Sequence, residues 1–227
     1  MALLHRAELR PTKLELLAGW LPAQPWYAGG TGAGVERVAA YRFDDPADDV
    51  GIETILVRVG AGPLHQVPLT YRAAPLDGGD AWLVGTCEHS VLGRRWIYDG
   101  CGDPVYQAAL AGALAGDVVQ ADEYFEVDGR LVARERNMTV ARVAGTSEDA
   151  PDAPDTGAGL EAELEAALQV DADEGLTRID TRSFELTVLR RPALRPAPTG
   201  DALVGTWSGQ PSALVLAYAR PAGRHLG

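Results

Sequence analysis

Lysine and asparagine each occur once in the 227 residues, as Lys13 and Asn137, and this scarcity excludes more chemistry than any motif assigns. A kinase-type site needs a lysine on the ATP phosphates, a catalytic aspartate, and an asparagine with a second aspartate as Mg²⁺ ligands. Lys13 falls in an amphipathic stretch near the start, and Asn137 sits in RERNMTV with no His-x-Asp before it. Neither an Asp-Phe-Gly nor a Gly-x-x-x-x-Gly-Lys phosphate loop occurs. A familiar phosphoryl-transfer site is therefore excluded within these residues.

Cysteine is nearly as sparse. Cys87 and Cys101 lie 14 positions apart, without Cys-x-x-Cys spacing or a neighbouring histidine pair, so neither a disulfide framework nor a tetrahedral metal site is expected. Cys101 stands between two glycines, where a thiol would be accessible, but no base is placed beside it. None of the five serines lies in a Gly-x-Ser-x-Gly elbow, and the four histidines, at 5, 65, 89 and 225, are scattered. No apolar run approaches the roughly 18 residues that span a bilayer, and MALLHRAELRP turns charged too early for a secretory core. A cytoplasmic location is expected. Against 20 basic residues stand 32 acidic ones, and a formal charge of −12 opposes phosphate backbones and anionic lipid, so no nucleic-acid or membrane partner is expected.

What the chain does contain reads as α+β. PTKLELLAGWL puts Leu14, Leu17 and Leu21 on one face, with Pro11 suited to a first turn, and predicts a helix from Pro11 to Leu21. Apolar and β-branched runs at 35–43, 52–59, 64–71, 81–84 and 95–98, separated by Asp/Gly/Pro turns, predict an antiparallel meander. Asp103-Pro104 is a helix start, and Val105 to Leu114 closes a first domain over 1–116. Residues 117–227 read as a smaller β-rich part. In it, Asp128-Gly129 joins two short strands as a hairpin, and 183–189, 203–207 and 213–218 are further strands. Seven acidic residues and no Lys or Arg fall between Thr146 and Glu165, which predicts a mobile acidic loop at 145–159, followed by a short helix from Leu160 to Leu168.

Four of the five tryptophans precede residue 100. Aromatic faces beside polar groups bind sugars or dock proteins, although buried tryptophan in a small core is the commoner arrangement. Trp26, Tyr27, Tyr71, Trp96 and Tyr98, with His89 and Asp99, form the candidate ligand- or partner-binding set. The glycine-rich GGTGAG at 29–34 follows Trp26-Tyr27 rather than a strand and precedes a strand rather than a helix, so it reads as a connection and not a dinucleotide loop. Asp99 and Asp103 bracket Gly-Cys-Gly, but Asp103 has a sufficient role as helix cap, and no metal or cofactor is expected.

Four segments together resemble the N-terminal cap domain of bacterial maltokinases: LAGWLPAQPWYAG at 17–29, HQVPLTYR at 65–72, LVGTCEHSVLGRRWIYDG at 83–100 and DPVYQAAL at 103–110. The resemblance covers about the first 115 residues. It implies a cystatin-like fold, a helix packed on a curved antiparallel sheet, agreeing with the elements read above. In that family the cap precedes a kinase-like lobe that phosphorylates maltose, and the cap itself holds no catalytic group. RSFELTVLRR at 182–191 is similar to a kinase N-lobe strand, with Thr187 where a lysine would be wanted.

The resemblance thus implies a stand-alone, non-catalytic cap-like protein of α-glucan, trehalose or maltose metabolism that docks to or regulates a partner enzyme. The alternative is a small-sugar binder using the aromatic set. An enzyme of unfamiliar mechanism built on His65, His89, Cys101 or Asp99 is a third reading.

Overall fold

The computed structural model describes residues 2–4, 8–30, 34–127, 130–145, 169–173, 175–181, 184–193 and 200–221, with the backbone alone for 2–4, 127 and 193. The expected acidic loop beyond Gly145 and the helix from Leu160 to Leu168 lie outside these residues. In chain order the elements are β1 (Ala2–Leu4), β2 (Leu9–Arg10), α1 (Lys13–Trp20), β3 (Val35–Phe43), β4 (Gly51–Val59), β5 (Leu64–Arg72), β6 (Leu83–His89), β7 (Gly93–Asp99) and α2 (Pro104–Ala115). There follow β8 (Glu123–Val127), β9 (Arg130–Ala133), β10 (Met138–Val143), β11 (Gln169–Asp173), β12 (Leu176–Asp180), β13 (Phe184–Ala193), β14 (Ala202–Trp207) and β15 (Gln210–Pro221). The described residues are mostly β, with α1 and α2 as their two α-helices.

Local chemistry explains why α1 begins at Lys13 rather than Pro11. Thr12 lies outside the helix, its hydroxyl accepts from the Glu15 amide at 3.3 Å, and the Glu15 carboxylate accepts from the Thr12 amide at 2.7 Å. This reciprocal box satisfies two amides that the first turn would otherwise leave open. Leu17 and Leu21 are buried against the first sheet, a burial that contributes about 2 kcal/mol per leucine.

That sheet has the order β2-β6-β7-β5-β4-β3. It is antiparallel as expected, yet it is not a simple meander: β7, not β6, lies beside β5. The run expected as a strand from Ala81 instead starts with a 3₁₀ turn at Asp80–Trp82, so β6 begins at Leu83 and continues to His89. β7 pairs with β5 only from Leu69 to Arg72. The other half of β5 is approached by the second sheet, and the Gln66 amide donates to the carbonyls of Leu189 at 3.2 Å and Leu216 at 2.9 Å.

The second sheet, β10-β14-β15-β13-β12-β11, is antiparallel throughout and has as many strands as the first. In the third and smallest, β8 lies between β1 and β9, and Val127 stands opposite Arg130, as a two-residue hairpin requires. Between the two large sheets lies α2, which buries residues on every side, from Tyr106 and Gln107 to Ala113 and Leu114. One apolar cluster runs from Tyr41, Phe43 and Leu56 through Tyr106 and Leu110 to Ile179, Leu186, Leu203 and Leu216.

Asp103 anchors the start of α2 as the sequence predicts. Its carboxylate accepts from the Val105 amide at 3.0 Å, from Arg72 at 2.7 and 2.6 Å, and from the Thr70 hydroxyl at 2.6 Å. Asp103→Ala removes a helix cap and leaves Arg72 without its two-pronged acceptor, and should cost about 2 kcal/mol, read as a lowered urea midpoint.

Candidate functional site

Register places Glu53, Ile55 and Val57 of β4 on one face with His65, Val67, Leu69 and Tyr71 of β5, because directly opposed residues share a face. Apolar members of this face, Ile55, Val57, Val67 and Leu69, cluster with Leu17, Leu21 and Trp26. At one end the face turns ionic. Glu53, 3% exposed, accepts from the Lys13 ammonium, from Arg42 at 3.1 Å and from the Tyr71 hydroxyl at 2.9 Å. Lys13 also lies 4.7 Å above the Tyr71 ring. Burial pushes the Glu53 carboxyl up, but Arg42 and Lys13 more than offset it and hold it well below the usual range. Burial lowers the Lys13 ammonium, with Glu53 opposing.

A second ionic group joins the two large sheets. Arg190 of β13 is fully buried, donates to Asp99 at 2.6 Å and to the Thr177 hydroxyl at 2.7 Å, and lays its guanidinium 4.6 Å from the Trp26 ring. Asp99 also accepts from the Cys101 amide at 3.2 Å.

The aromatic set is distributed among several environments. Trp26 and Tyr27 both flank His65, with ring centroids at 6.1 and 5.0 Å. His65 accepts from the Ala28 amide at 3.2 Å, and burial, aided by the Arg191 charge, lowers its pKa to about 4. Trp26 and Asp99 meet through Arg190, whereas Tyr71 belongs to the Glu53 cluster. Trp96, half-buried, has Arg94 over its ring at 5.2 Å. Tyr98 is buried, and its hydroxyl accepts from the Leu76 amide at 2.9 Å. His89 closes the β6–β7 turn, accepting from the Val91 and Leu92 amides at 3.2 and 3.0 Å.

Cys101 differs from expectation. The flanking glycines do not expose it; they let the chain turn tightly beneath Tyr106 and Trp82, and the thiol is fully buried and pushed far up by desolvation. Asp99 and Asp103 bind different arginines instead of sharing a cation, and no group of three or more metal-ligating side chains occurs among the described residues. Thr187 is fully buried in the middle of β13, opposite Arg178 and Tyr218. Sequence reasoning missed Arg42, Glu53 and Arg190. Glu53 and Arg190 each follow apolar residues inside a strand, in GIETILVRV and FELTVLRRPA, and a charge set within such a run was the available signal.

The arrangement is that of a small, mostly β module in which charged side chains neutralise one another. Residues 20–103 match the family model of the maltokinase N-terminal cap domain, a span under half of the chain. The matched domain is a cap and not a catalytic kinase domain, and it links this chain to the maltokinases. No curated protein matches the sequence. Among the described residues, no helix is long and apolar enough to cross a membrane.

Proposed function

We propose that this chain acts as a non-catalytic cap module that docks on, or regulates, an enzyme of α-glucan, trehalose or maltose metabolism. The match of residues 20–103 to the maltokinase cap carries this reading. The single lysine and single asparagine support it, because the phosphate and metal anchors of a kinase are wanting in these residues. We read the helix α1 laid on the first antiparallel sheet as cystatin-like, and residues 1–116 and 117–227 as two packed domains.

The cap surface that meets the enzyme is the tip of the β6–β7 hairpin. Val91 and Leu92 there are 58% and 45% exposed and lie inside the matched span. Adjacent exposed apolar side chains at a turn suit docking, since solvent gives them no stabilisation.

An affinity-tagged chain should retain a glucan-pathway enzyme, identified by mass spectrometry, from a lysate of its source, and Val91→Ser with Leu92→Ser should reduce the yield at least tenfold, about 1.4 kcal/mol. Recovery of no such enzyme above background would count against docking. The sugar-binding alternative draws on Trp96, the half-buried indole of the aromatic set; saturable quenching of tryptophan fluorescence by maltose would favour it.

A further inference from the structure

Buried polar atoms without a partner gather where α2 lies between the two large sheets. Strand register sets Tyr41 of β3 opposite Thr54 of β4, and Thr54 opposite Pro68 of β5, in one row on a single face of the first sheet. Tyr106 of α2 stands against that row: a Cβ added at Gly100 would meet the Tyr106 ring at 2.9 Å and Pro68 at 3.2 Å. Tyr106 is also within electrostatic reach of Tyr41, Cys101, Arg190 and Asp99. Tyr41, Thr54, Tyr106 and Arg190 are each at most 1% exposed. Among the described residues, Tyr41 Oη, Thr54 Oγ1, Tyr106 Oη and Arg190 Nη1 complete no hydrogen bond. Tyr41 and Thr54 are close enough to attract, but a bond between them would still leave one of their two hydroxyl protons without an acceptor. Arg190 commits its Nε to Thr177 and its Nη2 to Asp99, which leaves both protons of Nη1 free.

Buried polar groups in folded proteins are almost always paired, with protein or with ordered water, because leaving one unpaired forfeits the hydrogen bonds it makes in the unfolded chain. Charge does not call for an ion here: Asp99 and Arg190 cancel, and the other groups within reach of Tyr106 are neutral. We propose that an ordered internal water is bound among these four side chains, accepting from Arg190 Nη1 and the Tyr106 hydroxyl and donating to the oxygens of Tyr41 and Thr54. A buried water typically makes about three hydrogen bonds, and this place offers donors and acceptors enough for that number. The water ties β3 and β4 of the first sheet to α2 and, through Arg190, to β13 of the second. The inference stands apart from the docking role, since every group it uses is interior.

A high-resolution crystal structure of the full chain should show a water within hydrogen-bonding distance of both Arg190 Nη1 and Tyr106 Oη. Tyr106→Phe keeps the ring and removes the hydroxyl, so the water loses a partner, and the folded-to-unfolded ratio measured in urea should fall about tenfold. Hydroxyls without water give the opposite sign, because deleting an unpaired buried hydroxyl raises that ratio. Should Tyr106→Phe fail to fold, Tyr41→Phe supplies the same comparison with the same expected direction. Electron density without such a water, or a Phe variant as stable as the parent or more so, overturns the site.

Discussion

Arg190→Met should destabilise the protein by about 3–5 kcal/mol, because it strips the countercharge from Asp99, a carboxylate only 1% exposed. A small domain is stable by roughly 5–15 kcal/mol, so the variant should unfold at low denaturant and show weakened cooperativity. The loss has three parts: the ion pair to Asp99, the bond to Thr177, and the packing of the guanidinium on Trp26. Adding Asp99→Asn should recover at least half of it, since the buried charge then disappears with its partner. Urea denaturation of the two variants and the parent measures both effects. A cost below about 1 kcal/mol for Arg190→Met would mean that Arg190 does not bind the two sheets together.

The position of Arg190 also shows why part of the fold was legible in sequence and part was not. Strands β3, β4 and β5 are nine residues each, alternate or run apolar, and end at Asp, Gly and Pro turns, so local pattern and tertiary pairing agree. The helix α2 announces itself through Asp103-Pro104 at one end and Gly116, in the left-handed conformation with φ 99°, at the other. By contrast, β10, β11 and β12 escaped notice. Two of them, β10 and β11, are edge strands with one neighbour each, and the QVDAD of β11 carries two aspartates on its exposed side, which disguises a strand as a turn-rich segment.

The candidate residues were legible as types but not as partners. Tyr98 and Asp99 end β7 of the first sheet, and Trp26 packs in the apolar cluster against it. Trp26 and Asp99 share Arg190 of β13, which lies 91 residues beyond Asp99 in the chain, and no local spacing encodes that approach. Lys13 illustrates the same point: its scarcity excludes a kinase site, while its place beside Glu53, Arg42 and Arg37 depends on how α1 crosses β3 and β4.

Acid should weaken this protein in two separate windows, and the higher one belongs to His65. Its ordinary pKa of 6.5 falls to about 4 on folding, so the unfolded chain takes up the proton first. The stability that neutral His65 contributes is fully present above pH 6.5 and declines as the pH falls toward 4, by about 3 kcal/mol at most. Physically, a charged imidazole would lose its acceptor role toward the Ala28 amide, sit in the apolar contact of Trp26 and Tyr27, and face the positive charge of Arg191. Glu53 acts lower. Its carboxyl is depressed, so its contribution is present above the ordinary carboxylate pKa and is lost only as the pH falls through a still more acidic range. Urea unfolding of the parent between pH 7 and 4 should therefore show a falling midpoint that His65→Gln largely flattens, because glutamine still accepts from Ala28 and does not titrate. An unchanged slope in His65→Gln would assign the upper window to another group and leave the Trp26–His65–Tyr27 stack without a role in acid sensitivity.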